Sequence, residues 1–298
     1  MKIIIIGAGN VGVSTAYALI LRELVDELVL IDINKDLLFA RELELSQSIA
    51  AFNFDIKITC TDDYAHSKDS QVVIFSAGVA RKEGQSRDEL FAINAKIMLE
   101  CANNIKKFNN DPLFIIVSNP VDFLLNALYE SKLFSSKKII AMAGVLDNAR
   151  FKYEVGKKLD IKTSCIDTKL IGFHNDSMVL VKSQSKVQNK ALNKVLNECE
   201  LTQIEQEVKI GGAKIIKYLK TSAYLAPASA CVRMIEALKS GEFLPICAIL
   251  DGEYGIKEKA FGVMARISLD GVLEILELKL DNQEQIALEN SLSQYNYK

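Results

Sequence analysis

Six residues near the N-terminus limit what this chain can fold into more than any other feature. Gly7-Ala8-Gly9-Asn10-Val11-Gly12 reads G-x-G-x-x-G. Glycines at this spacing occur by chance, so the surroundings decide its meaning. Here the motif follows the apolar run Ile3–Ile6 and opens the amphipathic stretch Val11–Glu23. An acid, Asp32, stands 20 residues beyond Gly12, just past a second apolar run, Leu28–Ile31. Strand, glycine turn, helix, strand and terminal acid in that order form the dinucleotide-binding fingerprint. Gly7 allows the tight turn, Gly9 lets backbone approach a pyrophosphate, and Gly12 lets helix and strand pack closely. Backbone N–H groups of the turn, from Ala8, Asn10 and Val11 onward, and the helix dipole favour phosphate charge. Asp32 accepts hydrogen bonds from ribose hydroxyls and repels a 2′-phosphate, and Ile33-Asn34 offers no arginine to offset that. NAD rather than NADP is the expected cofactor.

The rest of the first half keeps the same rhythm. Val72–Phe75 and Phe114–Val117 are further short apolar runs, whose continuous character points to burial on both faces of a parallel sheet. Helix-length stretches lie between and after the runs, at Lys35–Ser48, Arg87–Phe108 and Pro120–Glu130. In Arg87–Phe108, Leu90, Ile93, Ile97 and Cys101 fall on one face. Strands alternating with helices mean βαβ units. The second half differs. Val145–Leu159 reads as a helix, and Thr168–Gly172 and Ser177–Val181 as strands. A charged amphipathic segment, Asn189–Leu219, is interrupted by Gly211-Gly212, and the helix Ser222–Lys239 is closed by Gly241. Pro245–Leu250, Ala260–Leu269 and Gly271–Leu280 read as antiparallel strands, and Asn282–Tyr295 as a terminal helix. The expected domains are residues 1–144 and 145–298, with no Pro- or Ser-rich linker between them.

Composition narrows the function classes. The chain has 36 Lys and Arg against 38 Asp and Glu, a balance of −2, where a nucleic-acid binder needs a basic surface. No apolar run approaches the roughly 20 residues that cross a bilayer. The N-terminal apolar stretch is shorter than the core of a secretion signal, so a cytoplasmic protein is expected. The six cysteines are scattered, without C-x-x-C, and read as small buried apolar residues rather than metal ligands.

Proton chemistry has two candidate histidines. His66 lies in a polar stretch and reads as a solvated loop residue. His174 lies just past a short apolar run, where either a hydrogen-bonded strand end or a general acid/base fits. Asp147 and Arg150 are three apart on an expected helix and project from one face. One can orient an imidazole while the other clamps a carboxylate bidentately. Asp176 competes with Asp147 for the histidine, and spacing leaves both open. The loop Ala77–Arg87 carries Arg81 and Arg87 at the sheet edge where α/β folds bind ligands. It is either a lid over a bound anion or a solvated basic loop. Ser118-Asn119-Pro120 ends the next strand at the same edge, with Asn119 available to a substrate oxygen and Pro120 at a permitted helix start.

These stretches resemble the lactate/malate dehydrogenase family over essentially the whole chain. The matching segments are Gly7–Gly12 with Asp32, Ala77–Arg87 leading to Asn94, Val117–Pro120, Gly144–Arg150, Gly172–Asp176 and Thr221–Pro227. The resemblance implies an α/β fold, with an N-terminal Rossmann doubly wound parallel sheet and a C-terminal α+β substrate domain, and a homodimer or homotetramer. It implies His174 as proton donor and acceptor, Asp147 as its partner, Arg150 on the C1 carboxylate and Arg87 on the reacting carbonyl. Asn119 then contacts substrate and nicotinamide, with Val117, Ser118 and Asn94 along the cofactor. The family separates substrates at the position held here by Arg81. Arg pairs the second carboxylate of oxaloacetate, and Gln suits the pyruvate methyl. Arg81 with Arg87 matches the malate pattern, ahead of lactate. A methyl group would leave a buried cation unpaired, and losing one partner of such a pair costs about 2–5 kcal/mol.

Two departures stand out. Asn175 replaces a usual Gly after the histidine, a position where Asn tolerates φ > 0 better than most residues. Glu83 replaces a frequent Pro and adds negative charge near a dianion site. Two other classes are weaker. A non-catalytic NAD(H)-sensing module needs no His174, Asp147 and arginine set, and a metal-assisted hydrolase wants further ligands. No metal is expected.

Overall fold

The apolar runs of the first half become the centre of a nine-stranded sheet in the computed structural model, which describes residues 1–79 and 86–293. The elements of this half are β1 (Lys2–Ile6), α1 (Asn10–Leu21), β2 (Glu27–Ile31), α2 (Lys35–Phe52), β3 (Lys57–Thr61), β4 (Val72–Phe75), α3 (Arg87–Phe108), β5 (Leu113–Ile116), α4 (Val121–Glu130) and β6 (Ile139–Ala141). The second half adds α5 (Gly144–Leu159), β7 (Ile166–Asp167), β8 (Leu170–Ile171), β9 (Val179–Leu180), β10 (Lys186–Val187) and β11 (Lys190–Ala191). It continues with α6 (Glu198–Leu219), α7 (Leu225–Ser240), β12 (Phe243–Asp251), β13 (Lys257–Ser268), β14 (Gly271–Leu276) and α8 (Asn282–Leu292).

The sheet runs β14-β13-β12-β6-β5-β4-β1-β2-β3, parallel from β3 to β6 and antiparallel beyond. Alternation within each run sorts side chains to the two faces. Ile3 and Ile5 of β1 join one core with Leu28, Leu30, Val72 and Ile74, beneath α1, α2 and α7. Ile4 and Ile6 join the other with Val29, Ile31, Val73 and Phe75, beneath α3 and α4. These isoleucines are at most 2% exposed, and each contributes about 1.5–3 kcal/mol of burial before entropy is charged. A third core, around Phe151, Leu170, Leu180, Leu201 and Val208, fills the space between α5, α6 and the short strands.

The structure departs from the sequence reading at several places, the short strands β7, β10 and β11 among them. β3 and β6 have no counterpart in it: β3 is a half-exposed edge strand of mixed polarity, and β6 has three residues, too few for a pattern. The strands at 243–276 are antiparallel, as read, and the structure adds that β12 pairs with β6 and so extends the first half's sheet. Gly211-Gly212 does not interrupt α6, which is continuous to Leu219. On α3 Ile93 is 42% exposed, and the buried face runs through Leu90, Asn94, Met98, Cys101 and Ile105 instead. A polar residue thus occupies a core position that the apolar pattern passed over.

The β13 strand also fixes what stands behind the histidine segment. A Cβ on Gly262 would meet the Gly172 carbonyl oxygen at 2.0 Å, and the Gly172 N–H donates to the Gly262 carbonyl at 2.9 Å. Phe173 then packs edge-on against Phe261, at 5.2 Å between centroids, and stacks on Phe123 of α4 at 6.3 Å.

Candidate active site

At the carboxyl ends of the parallel strands a cleft of about 470 Å³ opens between the two halves of the chain. Val11, Ser76, Val79, Val117–Asp122, Leu146, His174 and Pro227 are among its walls. The first turns of α1, α3, α4, α5 and α7 border it, and no side chain caps α1, α4, α5 or α7. The other four helices, α2, α3, α6 and α8, are capped by Asn34, Ser86, Asn197 and Asp281. The four uncapped helix ends at the cleft therefore keep their N–H donors for something else.

The glycine turn separates packing from binding. Gly7 has φ +104°, and a Cβ there would stand 2.7 Å from the Ala77 nitrogen. A Cβ on Gly12 would stand 1.8 Å from the Gly7 oxygen. Gly9 has nothing within 4 Å of where its Cβ would be. The fold demands two of the glycines, while the third keeps open space above an uncapped helix. Asp32 accepts the Ala8 N–H at 2.8 Å and the Asn34 N–H at 3.0 Å, so the acid also ties β2 to the turn. The Ser76 hydroxyl, which the sequence reading did not single out, donates to the Ile6 carbonyl at 3.1 Å. Open space, bare N–H groups and a strand-end acid fit a dinucleotide with free ribose hydroxyls.

On the opposite wall, α5 brings Asp147 and Arg150 to His174. Asp147 is 1% exposed; its Oδ2 lies 2.6 Å from His174 Nδ1, and its Oδ1 accepts from Arg150 Nη1 at 2.9 Å. The choice of histidine partner left open by spacing goes to Asp147, since Asp176 is exposed. Burial lowers the proton affinity of His174. The Asp147 carboxylate at Nδ1 more than reverses this, Asp122 adds to the reversal and Arg150 opposes it. The net direction is above the ordinary 6.5. The bond at Nδ1 leaves Nε2 for the cleft. Gly211 and Gly212 of α6 face Arg150, and a Cβ on Gly212 would come within 3.3 Å of Nη2. Of the pair that looked like an interruption, Gly212 gives room to a guanidinium.

Asn94 is 2% exposed and spends its amide on backbone. It accepts from Val79 N–H at 2.9 Å and donates to the Asn119 carbonyl at 2.8 Å. It thereby ties two strand-end loops. Val117 and Ser118 line the cleft, and the Ser118 hydroxyl donates to Ala77 at 2.6 Å. The Asn119 side chain is exposed at the cleft. Asn175 does not adopt positive φ, contrary to the expected role of Asn there. Its Oδ1 instead accepts from the Ser177 N–H at 2.7 Å and from its hydroxyl, so a side-chain turn replaces glycine's freedom. His66 is exposed, as a solvated residue should be. Arg81, Glu83 and most of the loop Ala77–Arg87 lie outside the described residues, as does the side chain of Arg87. The sequence reading missed Asp122, which accepts the His174 main-chain N–H at 3.0 Å. An acid among Val121, Phe123 and Leu124 was its available signal.

The description "lactate/malate dehydrogenase, NAD binding domain" matches residues 1–141, and "lactate/malate dehydrogenase, alpha/beta C-terminal domain" matches residues 144–296. A Campylobacter jejuni protein named probable malate dehydrogenase is 65% identical over 298 residues, covering 100% of this chain and 99% of that one. The solved malate dehydrogenase of Aeropyrum pernix superposes with a TM-score of 0.94 at 30% identity, covering 99% of this chain and 96% of that one. A lactate dehydrogenase of Cryptosporidium parvum, solved with lactic acid and nicotinamide adenine dinucleotide, gives 0.94 at 31% identity, covering 99% and 95%.

The glycine geometry makes a paired prediction. Gly9→Ala should melt within a few degrees of the parent yet bind NADH about tenfold more weakly, a loss of ~1.4 kcal/mol. Gly12→Ala should lose about 3 kcal/mol of stability or fail to fold, because its methyl meets backbone. Thermal melting and NADH fluorescence titration read the two effects. Unchanged NADH affinity in Gly9→Ala would remove the turn from the cofactor site.

Proposed function

The chain belongs to the lactate/malate dehydrogenase family, and from that premise we propose that it interconverts malate and oxaloacetate with NAD. One observation carries the chemistry: the hydrogen-bonded set Arg150–Asp147–His174 on the wall of the cleft bordered by the uncapped helix starts. The choice of a dicarboxylate rests on Arg81 with Arg87 in the sequence.

NAD, held by Gly7–Gly12, Asp32, Val117, Ser118 and Asn119, supplies or accepts the hydride when bound. In the reducing direction, protonated His174 gives its Nε2 proton to the oxygen that develops charge at C2. Asp147 fixes the tautomer and favours the imidazolium. Arg150 holds the C1 carboxylate, Arg81 the second carboxylate, and Arg87 stabilises the alkoxide more in the transition state than in the ground state. In the oxidising direction neutral His174 takes the proton back. Residues 1–144 carry the cofactor half of this assignment and 145–298 most of the proton-transfer half.

We also propose a homodimer or homotetramer in the cytoplasm. Tyr17 and Leu21 of α1, Phe39 and Leu43 of α2, and Leu225 of α7 are all exposed, on helices over one face of the sheet. Exposed apolar side chains on neighbouring helices mark association surfaces. The six cysteines are free thiols, which suits a reducing compartment. Among the described residues no helix is long and apolar enough to cross a membrane.

Three measurements check these readings. The purified protein should show a kcat/KM for oxaloacetate far above that for pyruvate, and Arg81→Gln should narrow the gap by about tenfold or more, given ~2–5 kcal/mol for an orphaned ion-pair partner. A parent preference for pyruvate would make the enzyme a lactate dehydrogenase; NADH binding without turnover would make it a sensor. Because His174 holds its proton above pH 6.5, oxaloacetate reduction should persist through that pH and fall as pH rises. Malate oxidation should climb over the same range, and a shared optimum would exclude His174 as the carrier. Light scattering should give two or four times the 33.1 kDa chain mass, and a monomer would refute the association surface.

A further inference from the structure

Asp122 is a carboxyl that the reaction above does not use, standing where a carboxyl is costly. It is the second residue of α4, 3% exposed, among the buried apolar side chains Val121, Leu124 and Leu125. Burial pushes its proton affinity up, nearby His174 pulls it down and Asp147 pushes it up again. Among the described residues Oδ1 has no hydrogen-bond partner of ordinary geometry, although the Cys247 thiol of β12 stands against the carboxyl. A buried polar atom without a partner costs about 1–3 kcal/mol. The other oxygen makes one bond, accepting the main-chain N–H of His174 at 3.0 Å.

That bond completes a grip on the histidine from two helices. Asp147 of α5 holds the ring at Nδ1, and Asp122 of α4 holds the backbone of the same residue. The α4 helix begins directly after Asn119-Pro120, so the acid lies three residues from the amide that opens on the cleft. The His174 segment otherwise leans on Phe173, wedged between Phe123 and Phe261. Ring stacking sets a distance between layers, whereas a hydrogen bond sets a register along them. We propose that Asp122 is a positioning residue: its acceptor oxygen locks the His174 backbone to the first turn of α4, setting where the imidazole stands relative to Asn119. This rests on the reading of His174 as the proton carrier.

The test compares Asp122→Leu, close in shape but without an acceptor, with Asp122→Asn, which keeps an oxygen for the N–H. Asp122→Leu should lower kcat for oxaloacetate reduction by about 10- to 100-fold, the effect of an ångström-scale misplacement. KM and NADH affinity should stay within about threefold, since ground-state binding is not what is lost. Asp122→Asn should recover kcat to within about threefold of the parent. A second readout needs no substrate. The chain has two histidines, so in a His66→Gln background the downfield ring proton at Nδ1 belongs to His174. It should persist in the parent and in Asp122→Asn and be lost or move upfield in Asp122→Leu. If Asp122→Leu keeps both kcat and the ring proton, the proposal is wrong. It is equally wrong if Asp122→Asn is as impaired as Asp122→Leu, or if kcat, NADH affinity and melting temperature fall together. A parent that turns over no 2-oxo acid would sink the functional reading instead, and the ring-proton comparison would still decide the role of Asp122.

Discussion

A carboxyl with 1% of its surface exposed has to find hydrogen-bond donors inside the protein, and Asp147 finds two. Its oxygens divide between the imidazole of His174 and the guanidinium of Arg150. Removing a carboxylate from water costs several kcal/mol that only well-placed partners offset. The partners are therefore as constrained as the acid. His174 is held with one ring nitrogen engaged, and Arg150 with one edge engaged and the glycines of α6 beside it. Placing one buried acid thus orders an imidazole and a guanidinium at once.

Much of the remaining structure serves that placement. The α5 helix starts at the end of β6, and β12 lies against β6, so the acid's helix is anchored to the sheet's centre. The close approach of Gly262 to Gly172 lets β13 back the histidine segment directly. The aromatic run Phe91, Phe123, Phe173 and Phe261 links α3, α4, the histidine segment and β13. Opposite, Asn94 ties the loop after β4 to the loop after β5 through one amide. The two walls of the cleft are each pinned by a buried polar side chain rather than by apolar packing alone. Hydrogen bonds have direction and apolar contacts do not, so polar pins give the precision that proton transfer needs.

The cofactor side follows a different logic. Gly7 and Gly12 are demanded by backbone lying less than 3 Å from where their Cβ atoms would be, so the fold would select them without any ligand. Gly9, at the N-cap of α1, meets nothing, and the space above it is open to another molecule. The uncapped starts of α1, α4, α5 and α7 at the cleft carry the same message. Capping residues are worth about 1 kcal/mol each, and four helices forgo them where they border the site.

The sequence by itself determined the parallel sheet, the glycine turn and its acid, because these depend on neighbours within a few residues. Four-residue apolar runs can only be buried on both faces, and a G-x-G-x-x-G between strand and helix needs no distant contact to be read. The extent of α3 was legible for the same reason, its start set by Ser86 and Glu89. Tertiary structure alone decided the rest. Spacing could not choose between Asp147 and Asp176, since the answer lies in a 2.6 Å contact across 27 residues. It could not see β6 or β3, whose residues become strands because a neighbour offers an edge. It read Gly211-Gly212 as a break, when both lie against Arg150 in the fold and Gly212 leaves its guanidinium room. Nor could it see that Asn94 and Asp122, polar residues in apolar helices, face inward. A local pattern records which residues avoid water, but which buried polar groups meet is a property of the assembled fold.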